Sequence, residues 1–174
     1  MKDRARGVVA ALITMIPLAV GACITDADLA PTRSACPSET DFRIVSQVYE
    51  RRCGTLDCHG QAGRPFRVYG RDGLRKPAKG EGGGYVSGGM VATTDAEVDA
   101  NYHSACGLEP ERMANVVARK EPIDSLTLVR KPRLTEAHKG GMVLPLGSAG
   151  DKCIASWISG KVNTALCVTE LQRP

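Results

Sequence analysis

Cys53, Cys58 and His59 form a Cys-x4-Cys-His run, and no other residues in this chain have types and spacing so suited to chemistry. Two thiols can each add to a vinyl group of a porphyrin, forming two thioethers. A histidine directly after the second thiol is then delivered to the central iron. The usual spacing for such attachment leaves two residues between the cysteines, so the four here require the intervening loop to bulge. The same residues admit two other readings: a Cys53–Cys58 disulfide with His59 at the surface, or part of a zinc site. Zinc needs four ligands, commonly in two paired sets. The sequence has no second C-x2-4-C and no H-x3-5-H. Covalently attached heme c is therefore the cofactor expected.

A helix must enter such a motif and hold it. Phe42, Val45, Tyr49 and Cys53 recur at helical spacing and place an apolar stripe on one face. Ser38-x-x-Asp41 supplies a plausible start, its hydroxyl capping free N–H groups. Thr94-x-x-Glu97 begins a second helix that ends near Cys106 and Gly107. Pro110 suits the first turn of a third, running to about residue 119. Pro122 ends it, and residues 124–129 make a short segment. A last helix over 151–159 buries Cys153, Ile154, Trp157 and Ile158, and Gly160 closes it. Residues 70–89 are rich in glycine but lack the strand and the Lys-Ser/Thr pair of a phosphate cradle, so they read as an irregular or heme-covering loop. Strand signals are weak throughout. The expected fold is a small all-α domain with long Gly-rich loops.

The start of the chain reads as a targeting segment. Lys2, Arg4 and Arg6 precede a mostly apolar run over residues 8–20. As a helix that run would span only about 20 Å, too short for a hydrocarbon core of about 30 Å. A signal peptide over 1–22 fits better. Residues 23–37 are polar, carry two prolines and lack periodicity, so they read as a tether to a domain over 38–174. The chain has 23 basic and 19 acidic residues, a formal net charge of +4. The leader accounts for part of that excess, and no basic stretch is interleaved with aromatics, so nucleic acid is not an expected partner.

Seven cysteines are present. With Cys53 and Cys58 as a local pair and Cys23 set apart at the leader's end, Cys36, Cys106, Cys153 and Cys167 remain. In an oxidising compartment these make two disulfides. Sequence does not fix which cysteines pair; the pairing expected here is Cys153–Cys167 with Cys36–Cys106. There is no Gly-x-Ser-x-Gly elbow, no His-Glu-x-x-His and no carboxylate pair spaced for acid–base work, and Glu109 and Glu111 read as solvated. An electron carrier is expected rather than an enzyme; the alternative is a cofactor-free, disulfide-stapled envelope lipoprotein acting as a binding or structural module.

Val20-Gly21-Ala22-Cys23 resembles the lipobox of bacterial lipoproteins. The resemblance implies that Cys23 is lipidated and that the protein is held on a membrane in the cell envelope, facing the periplasm. Ile24 after Cys23 leans toward the outer membrane by likeness to enteric sorting rules. Further along, Cys58-His59-Gly-Gln, then Tyr69-Gly-Arg-Asp-Gly-Leu-Arg75, Ser125-Leu-x-x-x-x-Lys131-Pro132, His138-x-Gly-Gly141 and Trp157-Ile-x-Gly160 resemble cytochrome c-like lipoproteins of myxobacterial or planctomycete type. A first helix entering the heme motif and a Trp-containing helix near the end are similar to the packed terminal helices of class I cytochromes c. The likeness implies a cytochrome c-like domain and a redox protein as partner. It makes Cys53 and Cys58 the attachment points, His59 the proximal ligand and His138 the distal one, with Met142 as its rival. Arg64, Arg67 and Arg71 are either partners of the heme carboxylates or an exposed basic face, and His103 reads as a partly exposed helix residue.

Overall fold

The computed structural model describes residues 35–77, 89 and 91–174. Cys23, the leader, the tether up to residue 34 and the glycine-rich residues 78–88 lie outside the described residues. Six α-helices and one 3-10 turn account for the regular structure described, and no strand is formed among those residues. In chain order the helices are α1 (Phe42–Cys53), α2 (Asp95–Gly107), α3 (Pro110–Val117), α4 (Thr127–Arg130), α5 (Ala149–Ile158) and α6 (Thr164–Gln172), with the 3-10 turn at Ile123–Ser125. The all-α expectation holds.

Helix α1 is central, packed against α2, α5 and α6. Its predicted stripe is buried: Phe42, Val45 and Tyr49 are at most 1% exposed and Cys53 is 8% exposed, and Val48 is buried with them. Phe42 meets Trp157 of α5 at 4.8 Å between ring centres and Tyr102 of α2 edge-on at 5.4 Å. The Trp157 indole N–H donates to the Ser38 carbonyl at 3.0 Å, and the Tyr102 hydroxyl donates to the Pro37 carbonyl at 2.9 Å. Trp157 and Tyr102 thus each find a partner for their polar tip.

The expected Ser38 cap is not made. Helix α1 begins at Phe42 behind Asp41 with no side-chain cap bond, and the Ser38 hydroxyl accepts from the Thr40 N–H instead. Cys36 and Pro37, read as tether, are fixed to the domain: Cys36 is bonded to Cys106 of α2, and Pro37 is buried. Cys153 of α5 is bonded to Cys167 of α6. Both disulfides are those expected. Glu109 is not simply solvated: its carboxylate accepts from the Thr127 N–H at 2.5 Å and pairs with Arg112, tying the start of α3 to the start of α4. Glu111 is exposed. At the chain's end, α6 is an element the apolar periodicity did not reveal.

Thr94 and Glu97 form the predicted capping box, but Glu97 does more. Its carboxylate takes a two-pronged ion pair from Arg75, at 2.8 and 2.9 Å, and the Lys76 N–H at 2.9 Å, while Arg75 also donates to the Val91 and Ala92 carbonyls. This joins the two ends of the glycine-rich segment. Burial alone would raise the carboxyl's pKa. The hydrogen bonds from Arg75, the Thr94 N–H and the Lys76 N–H outweigh it and hold the group below the usual carboxylate range. Its stabilisation is therefore complete above the unfolded pKa and is lost as pH falls through the folded one. Glu97→Ala leaves Arg75 buried and unpaired, and a loss of about 3 kcal/mol in urea unfolding is expected at neutral pH.

Candidate functional site

Helix α1 ends on Cys53, with the Gly54 N–H closing on the Glu50 carbonyl at 3.0 Å. The chain then makes the bulge that the wide spacing requires. Cys58 N–H donates to the Thr55 carbonyl at 3.0 Å, and His59 N–H returns to the Cys53 carbonyl at 2.8 Å. The four inserted residues are thus looped out, and His59 is brought back against the helix end. Two glycines make this tight fold possible. A Cβ on either Gly60 or Gly73 would fall on the carbonyl oxygen of Gly54, a backbone atom that cannot step aside. Gly60→Ala is expected to lower unfolding free energy by at least about 2 kcal/mol and to impair whatever the loop holds, checked by urea titration.

Cys53 and Cys58 are not bonded to one another. Cys53 is buried, Cys58 is partly exposed, and both line a cavity beneath the loop. Burial, reinforced by nearby Cys58 and opposed by Arg52, pushes the Cys53 thiol up to about 12, so it stays protonated. His59 is not on the open surface, as the disulfide reading supposed, but half-buried in the cavity wall.

The cavity has two lobes, of about 220 and 210 Å3, and Cys53, His59, Arg64 and His138 border both. One lobe carries polar residues, among them Asp57, Cys58 and Lys139. The other is apolar, walled by Tyr49, Phe66, Leu108, Leu128 and Pro132. Between the lobes stand the two histidines. Their ring centres are 6.2 Å apart and their planes differ by 17°.

The hydrogen bonds of these rings are alike. His59 Nδ1 lies 2.7 Å from the Phe66 carbonyl, and His138 Nδ1 lies 2.8 Å from the Gly141 carbonyl. A carbonyl only accepts, so each Nδ1 carries a proton, which in the neutral ring leaves Nε2 its lone pair. Metal-ligating histidines ordinarily donate their other ring N–H to a carbonyl or carboxylate, and both rings here share that arrangement. Burial first, and then the neighbouring His138 and Arg64, lower the His59 pKa, against the bond to Phe66. The neutral, coordinating form is favoured.

Sequence-distant loops produce this match. After His138 the chain reverses, with the Gly141 N–H on the His138 carbonyl at 3.0 Å and Gly141 at φ 72°. A Cβ at Gly140 would stand 3.1 Å from the His138 ring. The glycines therefore let the loop fold back on its own histidine. Met142 is 56% exposed and does not border the cavity, so His138 is the side chain placed opposite His59. His103 is exposed and pairs with Asp99. Of the three arginines after the motif, Arg64 alone reaches the cavity, its Nε donating to the Cys58 carbonyl at 2.9 Å. Arg67 turns to Tyr69, and Arg71 to Asp72 at the surface. Tyr49, Phe66 and Leu128 also wall the cavity, and the sequence carries no signal of that beyond ordinary core patterning.

Two imidazoles bound end-on to one first-row metal, at about 2.0–2.1 Å per nitrogen, hold their ring centres roughly 6 Å apart. The observed pair meets that spacing. Among the described residues no group of three or more His, Cys, Asp or Glu could hold a metal on side chains alone. A four-ligand zinc site is therefore not assembled there. His59 and His138 would be the side chains to hold a metal-containing group that brings further donors of its own. No protein family, curated protein or solved structure matches this chain.

Proposed function

We propose that this protein is an electron carrier holding one c-type heme, covalently bound through Cys53 and Cys58 and ligated by His59 and His138. The observation that carries this reading is the histidine pair, with both Nδ1 atoms bonded to carbonyls and the ring centres 6.2 Å apart beside two unbonded cysteines. When bound, the group supplies one-electron chemistry at its iron. The chain contributes the rest. Phe66 and Gly141 aim the ligands, the apolar lobe keeps water from one side, and the bulged loop sets the thiols at the cavity's edge. Two histidines favour a lower potential than a histidine–methionine pair. No bond-making catalysis is proposed.

The lipobox-like residues at Cys23 support a membrane tether facing the periplasm, Ile24 favours the outer membrane, and an electron carrier implies a second redox protein as the partner. Two or more acyl chains would hold the protein stably. Expression with heme-maturation machinery tests the whole reading. Denatured protein is expected to retain pyridine hemochrome bands, and the peptide spanning Cys53 to His59 to gain the mass of one heme. A colourless product with Cys53 and Cys58 disulfide-linked would overturn it, leaving a cofactor-free lipoprotein that binds a partner.

A further inference from the structure

Arg52 borders the polar lobe beside Cys53, Cys58, His59 and His138, and neither the thiols nor the histidines make use of its charge. Exposed cations are screened by water and salt, and their influence is weak. Arg52 is different. Its side chain is 14% exposed, and its Nε meets the Glu170 carboxylate at 2.6 Å. Its Nη2 reaches the carbonyls of Glu170 and Arg173 at 3.3 and 3.1 Å, so the guanidinium keeps acceptors even without that carboxylate. Asp57 and Lys139 at the same lobe are exposed, and Arg64 is fixed through one bond, to the Cys58 carbonyl. The Arg52–Glu170 pair is also oriented. Arg52 stands at the end of α1 in the lobe's wall, whereas Glu170, 1% exposed on α6, borders neither lobe. The positive end of the pair therefore lies nearer the cavity.

We infer that Arg52, held in place by Glu170, is the fixed charge that raises the reduction potential of the group ligated by His59 and His138. This rests on the heme reading above. One-electron reduction lowers the charge at that site by one unit, the electron coming from the redox protein partner. A neighbouring positive charge favours the reduced form over the oxidised one, and the more so where water is kept away. Arg52 would then offset part of the lowering that a second histidine brings.

Charge and structure are separated by three variants of the full chain, matured with heme and titrated potentiometrically beside the wild type. Arg52→Gln is expected to lower the midpoint potential and Glu170→Gln to raise it. Arg52→Lys keeps the charge and is expected to stay near the wild-type potential. All three disturb the buried pair, so urea unfolding of each is expected to show a loss of stability. A merely structural role moves the three potentials in one direction, in step with that loss. Such a result, or potentials unmoved in all three, would overturn the inference and leave the carrier reading standing. If Glu170→Gln does not accumulate, the two Arg52 variants decide: equal shifts in both overturn the inference. Wild-type protein without covalent heme would take down both.

Discussion

Heme-loaded His138→Ala protein is expected to lose its low-spin spectrum entirely and to bind added imidazole or carbon monoxide, while Met142→Ala changes neither property. The reason is positional. His138 is the side chain held opposite His59 by a carbonyl at its Nδ1, whereas Met142 lies 56% exposed beyond the glycine turn. Removing the imidazole would leave the proposed iron without its second histidine ligand. Gly141→Ala should act on the same place less severely, because it strains a φ of 72° and loosens the carbonyl that aims the ring. Optical spectra before and after titration with imidazole measure all three variants. A low-spin spectrum unchanged in His138→Ala would remove His138 from the site.

Loss of the Cys36–Cys106 disulfide is expected to be the costlier of the two cysteine deletions. It closes a separation of 70 residues, against 14 for Cys153–Cys167. Chain-entropy arguments put the longer loop at about 4 kcal/mol and the shorter at about 3 kcal/mol. The difference is reinforced by place. Cys36 brings the chain's entry to α2 beside Pro37 and Ser38, whose carbonyls cap Tyr102 and Trp157. Denaturation of paired Cys→Ser variants measures it, and equal losses for both would show that loop length does not govern them.

Much of the scaffold was legible because it is local. The stripe Phe42, Val45, Tyr49 and Cys53, the Thr94–Glu97 box and Pro110 all act within one or two helical turns, and each stands where its chemistry predicts. Helix α6 was missed for the opposite reason: Thr164, Ala165, Val168 and Thr169 leave little apolar periodicity, and the disulfide through Cys167 does the holding. Asn163, whose side chain accepts from the Leu166 N–H, was the available signal. The Arg75–Glu97 pair spans 22 residues and the His59–His138 pairing a longer stretch, so neither follows from spacing. His138 was reached through likeness of its glycine motif; its aim at His59 needed three dimensions.

Arg52, the residue before Cys53, grips the other end of the described chain. Its Nε meets Glu170 at 2.6 Å, and its remaining nitrogens reach the carbonyls of Glu170, Arg173 and Pro174. Glu170 in turn accepts from the Gly150 N–H, so one buried carboxylate laces together α1, α5 and α6. These contacts bridge about 120 residues. The residue that leads directly into the cysteine–histidine loop is thus pinned by partners far along the sequence, so loosening α6 is felt at the entrance to that loop.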